Sequence, residues 1–310
     1  MWYIFSMRGG EGVKGRLITI LGTTACGKSG LGVALAKEYN GEIVSADSRQ
    51  VYRGLDLGTG KITAAEMEGV PQHLLDVAEP GEQYSVARFQ AEAYAAIDGI
   101  LDRGRLPFLV GGTGLYVRAV TEGYVFHAAP PDEALRAALE ALPIEELRQR
   151  LTHAGVALDE DCYHNRPRLV RLIEKLENGE DPHAEREPDP HYDVLTLGVS
   201  YPRETVCQRI DERLVARLEA GMVEEVASLR KNGVSDEFLE GLGLEYRYIL
   251  HYLTGAIPTR EALIEELGRA IKRFAKRQVS WFKKDKNVHW LDMEADPVGE
   301  ASRLIGEFLA

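Results

Sequence analysis

The run "LITILGTTACGKSG" constrains this chain more than any other stretch. Gly22 is followed by four residues and then by Gly27, Lys28 and Ser29, the spacing of a phosphate-binding loop. Such a loop works between a buried strand and a helix N-terminus, where successive backbone N–H groups point at one anion. Both flanks are present. "RLITIL" over 16–21 is a short apolar run, and "KSGLGVALAKEY" over 28–39 has helical periodicity. Gly22 and Gly27 let the backbone approach a phosphate, and Thr23, Thr24, Ala25 and Cys26 supply the amides between them. Lys28 adds a point charge, and the Ser29 hydroxyl can hold Mg²⁺. In most chains this loop is nucleotide-binding and takes ATP or GTP. Phosphate binding is therefore expected, while the identity of the phosphate stays open.

The rest of the chain repeats the alternation of strand and helix. "EIVSAD" (42–47), "LPFLVGGTG" (106–114), "YDVLTLGVS" (192–200) and "VHWLDM" read as strands. "SVARFQAEAYAAIDGILDRG" reads as a helix with Ser85 at its N-cap and Gly104 at its stop. Long helical patterns cover 203–232, 244–254 and 259–284. The expected fold is α/β, a P-loop NTPase-like parallel sheet flanked by helices. Residues 125–190 break the rhythm with charged helical sequence between proline-rich joints, so they form a helical insertion domain. The core is then 15–124 and 191–310, behind a flexible leader over 1–14, and Met7 is a candidate start.

Composition narrows the setting. No apolar run approaches the roughly 20 residues that span a bilayer, so no membrane association is expected. The three cysteines, Cys26, Cys162 and Cys207, have neither disulfide nor zinc spacing. A reducing, cytoplasmic location is the default. The histidines, His73 and His164 among them, show no metal-ligand spacing. The net charge of −12 disfavours nucleic acid as a partner, yet residues 269–286 hold eight Lys or Arg against one acid, Asp285. An acidic body with one basic face fits a polyanion bound at one place.

An ATPase usually has an acid at the end of a later strand. Here that strand ends Gly111-Gly112-Thr113, and the acid is Asp47, after the second strand. Both strand ends belong at the crevice. Asp47 is a Mg²⁺ organiser, a general base, or a helix cap; Thr113 is an N-cap or a catalytic group. Spacing alone leaves a small-molecule kinase and a transferase of another phosphorylated donor equally open.

Several segments together resemble one family. "GTTACGKS", "SADSRQVYRGLDLGTGK", "PQHLLDV", "YSVARF" and "LVGGTGLYVRAV" fall in order within the first 120 residues. "HNRPRLVRLIE", "RIDERLVARLEAGMVEEVASL" and "FAKRQVSWFKKD" follow. The combination spans nearly the whole chain and is similar to the tRNA dimethylallyltransferases (IPP transferases), which prenylate the adenine 3′ of the anticodon. The resemblance implies that the loop grips the diphosphate of dimethylallyl diphosphate, with Mg²⁺, and that no phosphoryl group moves. The adenine amine attacks the allylic carbon, and diphosphate leaves.

By position, Asp47 matches the family's general base. Thr113 and Arg136 match residues that contact tRNA and close on the reacting groups. Asp47, Ser48, Arg49 and Gln50 match the segment that meets the flipped base. Pro167, Arg168, Leu169, Val170 and Arg171 match a second tRNA-contact segment, and Lys276, Arg277 and Gln278 match the "KRQ" segment. Arg209 and Arg213, one helical turn apart, reach the diphosphate or form a solvated face. Arg269, Lys272, Arg273, Lys276 and Arg277 form one helical stripe, either a tRNA contact or a solvated face. The partners implied are the tRNA anticodon stem-loop and dimethylallyl diphosphate, with the protein a monomer.

Four positions depart from the family pattern. The family commonly has Pro at 23, Ser at 26 and Thr at 29, and this chain has Thr23, Cys26 and Ser29. Cys26 exchanges a good hydrogen-bond donor near the phosphate for a weak one. Glu245 of "GLEYR" replaces a usual Gly and would repel RNA phosphates. The competing readings are an adenine-nucleotide isopentenyltransferase, a P-loop small-molecule kinase and an RNA-binding switch. The first needs neither the insertion nor the basic stripe, and the second leaves that stripe without purpose.

Overall fold

A computed structural model of the chain describes residues 13–126, 133–182 and 187–310. Most of the leader and the proline joint near 127–132 lie outside the described residues. The chain begins with β1 (Arg16–Gly22), α1 (Lys28–Glu38), β2 (Glu42–Ser45), α2 (Ala64–Met67) and β3 (Gln72–His73). It continues through α3 (Val86–Asp102), β4 (Pro107–Gly111) and α4 (Gly114–Thr121). Next come α5 (Glu133–Glu140), α6 (Ile144–His153), α7 (Glu160–Tyr163) and α8 (Arg166–Glu177). Then follow β5 (Asp193–Ser200), α9 (Arg203–Glu219), α10 (Met222–Lys231) and α11 (Asp236–Leu242). The chain closes with α12 (Leu244–Leu253), α13 (Arg260–Phe282), β6 (His289–Asp292) and α14 (Pro297–Leu309).

The strands form one parallel sheet in the order β3-β2-β4-β1-β5-β6. Ile18 of β1 stands between Phe108 of β4 and Leu195 of β5. The run of β1, apolar but for Thr19 from Leu17 to Leu21, is buried on both faces, as a central parallel strand requires. Ile18, Ile20, Leu31, Leu35 and Phe108 fill one face, with Ala301 and Ile305 of α14 against them. Leu17, Leu21, Val44, Phe89, Ile97 and Tyr116 fill the other. A third cluster joins α9 to α13 through Leu214, Leu239, Tyr246, Ile249 and Leu267. This is the α/β parallel sheet flanked by helices that the loop motif demands.

Three expectations need correction. The pattern over 203–232 is two helices, because Gly221 stands at φ 103° between α9 and α10. Strand β3 and helix α11 were not anticipated. Lys14 does not belong to a flexible leader: its N–H donates to the His191 carbonyl (2.8 Å) and its ammonium to Asp98 (2.6 Å).

The chain divides into two compact units, one of them Tyr124–Asp189 and the other the flanking sequence. The smaller unit packs α5, α6 and α8 around Leu139, Leu147, Leu151, Leu169, Val170 and Ile173. Its buried carboxylate, Glu174, accepts from Arg136 Nε (2.8 Å) and Nη2 (2.9 Å) and from Arg171 (3.2 Å). Burial alone would raise the Glu174 carboxyl, but these two guanidinium groups hold it below the usual range.

Candidate active site

The loop between β1 and α1 is built by two left-handed residues, Ala25 at φ 61° and Gly27 at φ 82°. Gly27 is the N-cap of α1 and has no side chain to cap with, so the first-turn amides remain available to an anion. Lys28 Nζ lies over the loop, donating to the Thr23 carbonyl at 3.2 Å. The Cys26 thiol is buried beneath the loop and donates to the same carbonyl.

A single side chain brackets this loop. Gln278 of α13 accepts from the Thr24 N–H at 3.1 Å and donates to the Gly112 carbonyl at 2.9 Å. Both ends of its amide are thus engaged within the protein. Arg209 plays a similar part: its Nε donates to the Ala25 carbonyl (2.8 Å), and its guanidinium lies over Tyr201.

Asp47 and Thr113 meet where the ends of β2 and β4 come together. Asp47 Oδ1 accepts the Arg49 N–H at 2.9 Å, an Asx turn rather than a helix cap. Thr113 is the N-cap residue of α4, but its hydroxyl makes no capping bond. Instead that oxygen accepts from the Ser48 N–H (3.0 Å) and donates to Ser48 Oγ (3.3 Å). Gln50 Nε2 reaches the Gly60 carbonyl at 3.3 Å. At the end of β4 a Cβ on Gly111 would run into the Ala46 carbonyl. No carboxylate can stand there.

The opposite wall is the segment 56–61. Glu225 of α10 receives the N–H groups of Asp56 (2.9 Å), Leu57 (2.7 Å) and Gly58 (3.0 Å), with the Tyr246 hydroxyl at 2.8 Å. Lys61, its side chain 6% exposed, is clamped by Asp56 (2.6 Å) and Asp76 (2.5 Å). Against this segment lie Arg213 and Arg217, which would meet any side chain placed at Gly60. Burial lowers the Arg213 guanidinium, and the nearby Glu245 carboxylate counters it. Glu245 is itself pushed up by burial, with Arg213, Asp47 and Arg49 close by. Glu245 therefore lies within the cleft wall among two guanidinium groups and a second carboxylate.

These parts enclose one cleft of about 1200 Å³ in the larger unit. It is lined by Thr24 to Gly30, Asp47 to Gln50, Thr113, Arg213, Glu245 and, from α13, Arg277, Gln278 and Trp281. The donor residues expected from 24 to 29 thus share one space with Asp47, Ser48, Arg49, Gln50 and Thr113. Thr23 and Gly22 are buried under the loop. Arg136 and the 167–171 segment belong to the helical unit. There Arg136 is engaged by Glu174, and Leu169 and Val170 are core residues. The side chains of those two are turned into the core of the unit. Pro167 and Arg168 are exposed.

The basic stripe is also divided. Arg269 pairs with Glu265 (3.3 Å) and Lys272 with Asp211 (2.6 Å), while Arg273, Lys276 and Arg277 stay exposed. Sequence reasoning passed over Lys61, Arg217 and Glu225. These three lie in the segments "SADSRQVYRGLDLGTGK" and "RIDERLVARLEAGMVEEVASL", where no spacing distinguishes them from their neighbours.

With this geometry in hand, known proteins are informative. The IPP transferase profile matches residues 50–285, and an isopentenyl transferase profile matches residues 15–80. The chain belongs to the IPP transferase family. A tRNA dimethylallyltransferase 1 of Geotalea uraniireducens is 44% identical over 299 residues, covering 93% of this chain and 96% of that protein. A tRNA dimethylallyltransferase 2 of Shewanella sediminis is 43% identical over 296 residues, covering 94% and 98%. Among solved structures, the tRNA isopentenylpyrophosphate transferase of Bacillus halodurans aligns with a TM-score of 0.72 at 37% identity, covering 95% and 96%. A eukaryotic dimethylallyltransferase acting on tRNA aligns at 0.76 and 26% identity, covering 94% and 77%. Among the described residues no helix is long and apolar enough to cross a membrane.

Proposed function

We propose that this chain transfers a dimethylallyl group from dimethylallyl diphosphate to the exocyclic amine of the adenine 3′ of the anticodon in tRNA, releasing diphosphate. The observation that carries this reading is the pairing, in one cleft, of an open anion nest at 24–29 with the half-buried carboxylate of Asp47. The end of β4, where a hydrolase keeps its acid, has room only for glycine.

The chemistry follows from the geometry. The α1 amides and Lys28 grip the diphosphate, and Arg213 adds charge from the opposite wall. As the allylic C–O bond breaks, negative charge grows on the bridging oxygen, where fixed amides and cations stabilise it most. The adenine nitrogen attacks the allylic carbon and gives up its proton to Asp47. Thr113 and Ser48 hold the turn that aims this carboxylate. The extruded adenine costs a few kcal/mol of lost stacking, which contacts from the cleft wall offset.

Among the described residues no group of three or more His, Cys, Asp or Glu side chains could hold a metal ion. The donor set fits Mg²⁺ only as an ion resting on Ser29, water and diphosphate oxygens, a common state for this ion. Bound there, Mg²⁺ would neutralise charge on the leaving group.

The exposed Lys276 and Arg277, with Arg168 of the helical unit, are the proposed tRNA contacts. The protein is proposed to work in the cytoplasm, as a monomer. The test is incubation with labelled dimethylallyl diphosphate and bulk tRNA, then AMP, then ATP alone. Label in tRNA only, with stoichiometric diphosphate release, is the expected result; label in AMP, or phosphate release from ATP alone, refutes it.

A further inference from the structure

The rim of the cleft carries an apolar side chain for which folding gives no reason. Leu115 is 50% exposed, more than any other large hydrophobic residue described, and it lines the cleft. It lies in the first turn of α4, directly beyond Thr113 and Gly114. The apolar face of α4 is made by Tyr116, Val117, Ala119 and Val120, all buried, so Leu115 projects from the other side. A helix's first turn favours acidic groups, and leaving a leucine in water forfeits the gain from burying it.

Its surroundings indicate what it meets. Phe274, 40% exposed, lines the same cleft and has the Arg277 guanidinium over its ring at 5.8 Å. Gly114 leaves room for Trp281, which also has the Arg118 guanidinium 5.6 Å from its ring centre. Apolar side chains flanked by cations suit unstacked nucleotides, and the kinking wedges of nucleic-acid-binding proteins are commonly Leu, Phe, Ile or Met.

We propose that Leu115 is a positioning residue that enters the RNA base stack as the target adenine swings out. It fills the vacated place and keeps the adenine from falling back, while Asp47 and Thr113 engage the extruded base. This inference rests on the prenyl-transfer reading and deepens it.

The experiment uses the full chain and an anticodon stem-loop with 2-aminopurine at the target position, whose fluorescence rises on unstacking. A parallel RNA keeps adenine there for single-turnover prenylation. Wild-type protein is expected to raise the fluorescence. Leu115→Ala should bind dimethylallyl diphosphate as wild type does, lose the rise, and prenylate about 10- to 100-fold more slowly. Leu115→Met should restore both, and an RNA with an abasic nucleotide 3′ of the target should recover the rate of the Ala variant. Wild-type fluorescence and rate in Leu115→Ala overturn the proposal. So does loss of donor binding in that variant, which would make Leu115 a folding residue. Wild-type protein that prenylates no RNA refutes the underlying reading instead, so the two failures are distinguishable.

Discussion

Asp47 spends one carboxylate oxygen on the Arg49 amide, and the other accepts no hydrogen bond among the described residues. A base used in this way needs a fixed direction, and the Thr113–Ser48 contacts supply it. Asp47→Asn keeps the Asx turn and loses the proton acceptor. It should lower the single-turnover rate about 10²- to 10⁴-fold while dimethylallyl diphosphate binds unchanged by calorimetry. A variant at full rate would remove Asp47 from the chemistry. Lys28, Ser29 and Asp47 were legible in the sequence because each sits within a residue or two of a strand end or helix start. Gln278 was legible as a residue but not as a bracket, since its partners, Thr24 and Gly112, are far away in the chain. The bond from the Cys26 thiol to the Thr23 carbonyl was hidden for a related reason: spacing places a side chain along the loop but does not say which way it turns.

Helix α13 does two jobs on two faces. Leu267, Ile271, Ala275 and Phe282 are buried, and Gln278 ties the helix to the loop, while Arg273, Lys276 and Arg277 face out. Replacing Lys276 and Arg277 together with Ala should weaken tRNA binding and flatten the slope of log K against log salt by about 1.4 to 1.8. Donor binding should be unaffected, and an unchanged slope would return these residues to the solvent. On α10, Glu225→Ala strands three amides and a tyrosine hydroxyl. The expected loss is about 1–3 kcal/mol, read as a lower midpoint in urea and faster proteolysis near 56–61. Long periodic elements such as α3 and α13 were readable in the sequence. The two-residue β3 was not, because a strand that short has no period, and Gly221 was hidden inside sequence that is helical on both sides.

The sheet as a whole is pinned at its lower edge by one buried carboxylate. Glu42, at the start of β2, takes hydrogen bonds from Arg103 (2.7 Å), Arg105 (3.0 Å) and the His73 ring (2.6 Å). The Arg103 guanidinium is the main cause that holds this carboxyl at about 2, against an ordinary 4.5. A depressed folded value means the stabilisation is complete above the unfolded value and is lost as pH falls from about 4.5 towards 2. Melting temperatures across that window should drop less for Glu42→Gln than for the wild type, although the variant starts lower at pH 7. Parallel acid profiles would discount Glu42 as a source of acid lability.

The order of strands has a bearing on how the chain is made. The central β1 is flanked by β4 and by β5, and all of the helical unit is translated between those two neighbours. At 5–20 residues per second, a nascent β1 waits roughly 10–30 s for its second neighbour. During that time a hydrophobic edge at the heart of the molecule lies open on the ribosome. The insertion, whatever else it does, lengthens that interval.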